Sequence, residues 1–201
     1  RSVLMTGQHL GHTRVRGNSS TVGGVPDHNR VLRVPLEPED VTVAQVLKAR
    51  GYVTGMTGKW GLGEPGSTGD PNRKGFDEWF GFLNQNHAHT HYPDYLWRDQ
   101  EKVVIEANLN GKRQQHSHEL FTDFALDFVR RRSRQPFFLY LPYTLVHPEY
   151  AVPSLGAYAD KPWTEEEKVF AAMVGMIDRD MGRLFALLEE LGIDRNTIVF
   201  F

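Results

Sequence analysis

Cysteine is absent from the 201 residues, which excludes a disulfide framework and thiolate metal sites within the chain. No apolar run approaches the ~20 residues that a helix needs to cross a bilayer, so a membrane is not an expected partner. Neither sign of charge dominates. Lys and Arg number 23 against 25 Asp and Glu, a formal net charge of −2. Nucleic acid is therefore not an expected partner either, because such surfaces carry a basic excess. The first residues lack the basic-then-apolar pattern of a secretory leader, and no internal repeat or low-complexity tract is found. What is present is an ordinary globular composition, 40% hydrophobic and 24% charged, at a length suited to one domain or the larger part of one.

Helix and strand signals alternate along the chain. Thr42-Val43-Ala44-Gln45 is a capping-box pattern that opens a short helix, with Gly51 as its stop. Tyr52 to Thr57 reads as a strand leading into Gly58-Lys59-Trp60-Gly61-Leu62-Gly63. The polar, glycine-rich stretch from Glu64 to about Tyr92 reads as a functional loop or an insertion. Lys102–Glu106 and Lys112–Gln115 flank Asn110-Gly111, a hairpin turn signal. Ser117 is placed to cap a helix bearing Leu120, Phe121, Phe124, Leu126 and Phe128, whose end at Arg130-Arg131-Arg132 suits the helix dipole.

Phe137 to Leu141 resembles a strand buried in a parallel sheet. Thr164-Glu165-Glu166-Glu167 is a second capping box, opening a helix that runs to Leu191, and Thr197 to Phe201 reads as a closing strand. The alternation predicts an α/β domain with a mostly parallel central sheet flanked by helices. Ligands in such sheets sit beyond the carboxyl ends of the strands. The apolar starts and stops at Arg1–Met5 and Thr197–Phe201 read as cut ends, so the chain is expected to be an internal piece of a longer domain.

Four segments in order resemble the sulfatase family, within the alkaline-phosphatase-like superfamily. Arg1-Ser2-Val3-Leu4-Met5-Thr6-Gly7 is similar to the end of the first sulfatase signature, and Gly58-Lys59-Trp60-Gly61-Leu62-Gly63 to the second. Pro136-Phe137-Phe138-Leu139-Tyr140-Leu141-Pro142-Tyr143, with His147 beyond it, resembles the strand and loop carrying a sulfate-binding histidine. Met176-Ile177-Asp178-Arg179-Asp180-Met181-Gly182 resembles the helix that precedes a metal-binding Asp-Asn pair. The resemblance implies that residues 1–201 are part of a catalytic domain with the alkaline-phosphatase-like fold. It also implies a calcium ion with ligands outside the chain, and a formylglycine made from a Cys or Ser four residues before Arg1. On this reading the intact protein hydrolyses a sulfated small molecule or glycan, is periplasmic or secreted by analogy, and the isolated segment is inactive.

A sulfate ester presents negative charge on several oxygens, and more develops on the leaving oxygen as the S–O bond breaks. Fixed cations and donors must meet that charge. The resemblance assigns Lys59 to a sulfate oxygen, Arg1 to charge-assisted hydrogen bonds with the formylglycine, and His147 to donation toward a sulfate oxygen. A phosphate-loop reading of Gly58-Lys59 fails, because tryptophan follows the lysine.

The family often carries a histidine two residues after the signature lysine, and here Gly61 stands there. Three histidines, His87, His89 and His91, lie in Asn86–His91. On an extended chain they would share a face and could bind zinc. A substrate-facing loop is the favoured reading, with His89, and after it His87, as the substitute for the missing histidine. Two other functions stay open at this point: phosphate or phosphonate ester hydrolysis on the same fold, and a non-catalytic protein that binds sulfated glycans.

Overall fold

The computed structural model describes residues 1–18, 25–26 and 32–201. A five-stranded mixed sheet, ordered β6-β5-β4-β3-β7, forms its centre. The parallel heart is β3 (Val53–Lys59), flanked by β4 (Glu78–Phe82) and β7 (Phe137–Tyr140). An antiparallel hairpin, β5 (Tyr95–Arg98) and β6 (Glu101–Val104), extends the β4 side. Two short strands, β1 (Val25–Pro26) and β2 (Leu32–Arg33), pair separately.

Among the described residues four helices pack around the sheet: α1 (Ser2–Thr6), α2 (Val43–Lys48), α3 (Ser117–Arg132) and α4 (Glu165–Glu190). Side chains alternate across each strand, and the core divides accordingly. Phe80, Phe82 and Leu96 meet Phe121, Phe124 and Phe128 of α3 and Leu184, Leu187 and Leu188 of α4. On the opposite face Met56, Trp60, Phe76 and Trp79 pack with Met5 of α1 and Ala44 of α2. Both capping boxes form as expected: Thr42 Oγ1 accepts from Gln45 N at 3.3 Å, and Thr164 Oγ1 accepts from Glu167 N at 3.3 Å.

Several sequence expectations give way. The stretch from Glu64 to Tyr92 is not one loop, because it contains β4. Gly81 disguises that strand, since glycine inside a strand ordinarily weakens it. Here it is required: a Cβ on Gly81 would lie 2.0 Å from the Gly58 carbonyl oxygen of β3. The hairpin turn falls at Asp99-Gln100, between β5 and β6, and not at Asn110-Gly111. Those two residues do hold positive φ, but inside the short helical stretch Glu106–Gly111.

The cap of α3 is His116, and Ser117 is the first helical residue. Burial, then His91, pushes the His116 ring down to about 4. As a neutral ring it has one donor and one acceptor nitrogen, so Nδ1 accepts from His118 N at 3.1 Å while Nε2 donates to Ala151 O at 3.2 Å. The basic run at the end of α3 is only partly solvated, because Arg131 and Arg132 both grip Glu78 of β4, at 2.8 and 2.9 Å. Thr197–Phe201 joins no strand of the sheet.

Candidate functional site

The three parallel strands end on the same side, and the segments that follow them build one cleft. Lys59 closes β3. Its backbone N–H donates to Pro142 O at 2.8 Å, and the next two, Trp60 and Gly61, donate to Phe82 O and Leu83 O. These bonds lock the Lys59 segment between the chains leaving β7 and β4. Its side chain is 5% exposed. Burial, and after it the charges of Arg1 and Arg33, pushes the ammonium down to about 8. Among the described residues no carboxylate pairs with it.

Lys74, equally buried, shows the opposite arrangement. Its ammonium donates to the carbonyls of Glu37 and Asp40, so it ties loops together. Lys59, by contrast, faces the open space of a cleft.

A cleft of about 250 Å³ is lined by Arg1, Lys59, Ala88, Tyr143, Thr144 and His147, among others. The structure thus brings Arg1, Lys59 and His147 together from three distant parts of the sequence. His147 is held by its own N–H to Thr144 O at 2.9 Å and by its carbonyl, which lies 3.1 Å from His91 Nε2.

The three histidines of the β4–β5 connection do not share a face. Asn84 Oδ1 accepts from the backbone of Asn86 and His87 and starts a 3₁₀ turn over His87–His89, so the side chains diverge. His87 packs on Phe82 and Tyr95 at 4.9 and 4.3 Å. His91 is buried against His116 at 5.2 Å. His89 lies against the His147 side chain, its ring centroid 4.4 Å from that of His147. Burial, then His147 and Lys59, holds its pKa below the ordinary imidazole value.

The space above Gly61 is taken by Gln85, which lies close enough that a Cβ on Gly61 would sit 2.1 Å from Gln85 Nε2. Gln85 donates to Gly61 O at 3.2 Å. Nothing in the sequence pointed to that glutamine. Among the described residues no group of three or more His, Asp and Glu is arranged to hold a metal. The cleft lining offers donors and cations without a carboxylate, which fits an anion and does not fit calcium.

The sulfatase family model matches residues 1–201. N-acetylgalactosamine-6-sulfatase of Canis lupus familiaris is 33% identical over 192 residues, covering 90% of this chain and 33% of that protein.

The chain belongs to the sulfatase family.

The human N-acetylgalactosamine-6-sulfatase is 34% identical over 191 residues, and an arylsulfatase of Hemicentrotus pulcherrimus is 28% identical over 213 residues, covering all of this chain and 37% of that protein. This sulfatase chain therefore spans about a third of the length of the curated relatives it matches. Its fold matches the crystal structure of Ps i-CgsB with a TM-score of 0.75 at 24% identity, over 96% of this chain and 44% of that one.

One feature of this sulfatase chain escaped the sequence reading in part. Asp180, within the motif around Met176–Gly182, is buried with no exposed side-chain surface. It accepts from Arg179 Nε at 2.8 Å and Arg183 Nη1 at 3.2 Å, and lies 3.2 Å from His118 Nε2. Burial opposes its charge, but these three partners prevail and hold the carboxyl well below the usual carboxylate range. His118 in turn packs edge-on against Tyr143 at 4.5 Å, so a buried ion network supports the wall of the cleft. Burial pushes the Tyr143 hydroxyl up to about 12, keeping that wall neutral.

Proposed function

We propose that the protein is a sulfuric ester hydrolase acting on an aryl sulfate or a sulfated carbohydrate, and that the cleft of Arg1, Lys59 and His147 holds the sulfate group. The observation that supports this best is Lys59, a buried ammonium without a carboxylate partner among the described residues. A buried charge left unpaired costs several kcal/mol unless an opposite charge meets it. A sulfate oxygen in the cleft would supply that charge. The relatives' names cover both substrate types, an N-acetylgalactosamine-6-sulfatase and arylsulfatases.

In this reading Lys59 and Arg1 neutralise charge on the non-bridging oxygens, and His147 donates toward the anion. His89, its ring tilted against that of His147 and favouring its neutral form, accepts the proton that the histidine absent at Gly61 would take. Formylglycine, from a Cys or Ser upstream of Arg1, would supply the nucleophile. Calcium would be its activating cation, with ligands outside Arg1–Phe201. The cleft's own residues bind and orient the anion.

The test is steady-state kinetics of the full-length protein with 4-nitrophenyl sulfate and 4-nitrophenyl phosphate. Sulfate should be the better substrate, and Lys59→Ala should lower kcat/KM on it by about a hundredfold or more with the fold intact by circular dichroism. Preferential turnover of the phosphate would reassign the activity. Binding of the sulfate without turnover would make the protein a sulfated-ligand binder.

A further inference from the structure

A second, larger hollow of about 450 Å³ is lined by Tyr150, Trp163, Thr164, Glu166, Glu167 and Phe170. That volume lies within the roughly 300–1,000 Å³ of small-molecule sites. Its aromatic rings are fixed in pairs: Trp163 stacks on Tyr158 at 6.0 Å, and Tyr150 meets Phe170 edge-on at 5.8 Å. Trp163 is nonetheless 44% exposed. Glu167 is spent on the cap of α4, accepting from Thr164 N and Oγ1 at 2.8 Å each. Glu166 has no ion-pair partner among the described residues.

The two hollows lie along one segment. His147 lines the first and Tyr150 the second. They are three positions apart in the sequence, so their Cα atoms are at most about 11 Å apart, within reach of neighbouring units of one oligosaccharide. Their electrostatics differ. The first offers Lys59 and Arg1; the second offers aromatic faces and a free carboxylate. An apolar ring face with a hydrogen-bond acceptor at its edge suits an uncharged sugar, and a carboxylate repels a second sulfate.

We infer that the Tyr150–Trp163–Phe170 hollow is a subsite for an unsulfated sugar unit of the chain whose sulfate enters the Lys59 cleft, so that the substrate is a sulfated oligosaccharide with an uncharged neighbouring unit. This rests on the sulfatase reading above.

The experiment compares 4-nitrophenyl sulfate, a monosulfated galactose disaccharide and its disulfated counterpart as substrates of the full-length protein. Trp163→Ala should lower kcat/KM on the monosulfated disaccharide by about tenfold or more while leaving 4-nitrophenyl sulfate within about twofold, and Trp163→Phe should keep most of the activity. Glu166→Gln should narrow the preference for the monosulfated over the disulfated substrate. Equal losses on the aryl and disaccharide substrates, or no loss on either, would overturn the subsite, as would failure of the wild type to turn over either disaccharide while cleaving the aryl sulfate. If the wild type cleaves none of the three, the sulfatase reading fails instead. The subsite is then judged by binding of the unsulfated disaccharide: a tryptophan fluorescence change lost in Trp163→Ala supports it, and no change overturns it.

Discussion

Burying an ammonium near two guanidiniums costs folding free energy, and the depressed pKa of Lys59, about 8, is the measure of that cost. The unfolded lysine titrates near 10.4. Between the two values the unfolded chain binds more protons, so the Lys59 contribution makes stability rise with pH across that window. Lys59→Met should therefore raise the Tm of the full-length protein near neutral pH, by roughly 2–6 °C, while abolishing sulfate binding. A melting curve and a sulfate-binding titration of the same variant check both halves. Sulfate binding by the wild type should weaken as pH rises through about 8.

Gly61 gives a second residue-scale prediction. It sits at φ +69, so Gly61→Ala should cost about 1–2 kcal/mol of backbone strain. Removing Gln85 should relieve only the steric part of the loss, a distinction that a double-mutant cycle measures. The strand signal that leads into Gly58-Lys59 was legible in the sequence, and Lys59 does close β3. The 3₁₀ turn over His87–His89 was not, because spacing alone cannot reveal the Asn84 side chain that curls the chain there.

At the scale of elements, α3 and α4 are joined through charge as well as through their phenylalanine and leucine faces. Asp180 of α4 meets His118 of α3, and Asp180→Ala would leave a buried histidine and two arginines without their shared anion. The expected loss is about 3–5 kcal/mol, read as a lower denaturation midpoint at unchanged m-value. Because the Asp180 pKa is depressed by folding, its contribution is present above the unfolded value near 3.9 and fades as pH falls below it. In the Asp180→Ala variant the acid-side slope should be shallower.

The starts of α2 and α4 were legible because capping boxes are local. β4 was not, because the reason for Gly81 lies in β3, more than twenty residues earlier. The hairpin was misassigned for a related cause. Asn110-Gly111 does adopt the left-handed geometry its residues favour, but Trp79 N of β4, donating to Asp99 Oδ1 at 2.9 Å, holds the true turn from outside the hairpin.

For the molecule as a whole, apolar surface sets the behaviour of the isolated 201-residue chain. Leu4, Ile198 and Phe200 are 65%, 80% and 92% exposed, and among the described residues β7 has a strand on one side only. Such edges recruit other chains. The isolated chain should self-associate in light scattering at high concentration and show no turnover of 4-nitrophenyl sulfate. A monomer with a sharp melting transition would contradict the first expectation. The α/β architecture and the flanking of the sheet by helices were legible from periodicity. The absence of a ladder at Thr197–Phe201 was not, since a β-branched run states a propensity and pairing needs a partner.

The two borders of the sheet are chemically unlike. β6 presents Glu101 and Lys102 to solvent, charges that discourage further pairing. β7 offers Phe137, Phe138 and Tyr140 on an open ladder. The sheet consequently has a direction of growth: a strand that joins it, from this protein or another copy, adds beside β7, and the hairpin serves as its finished end.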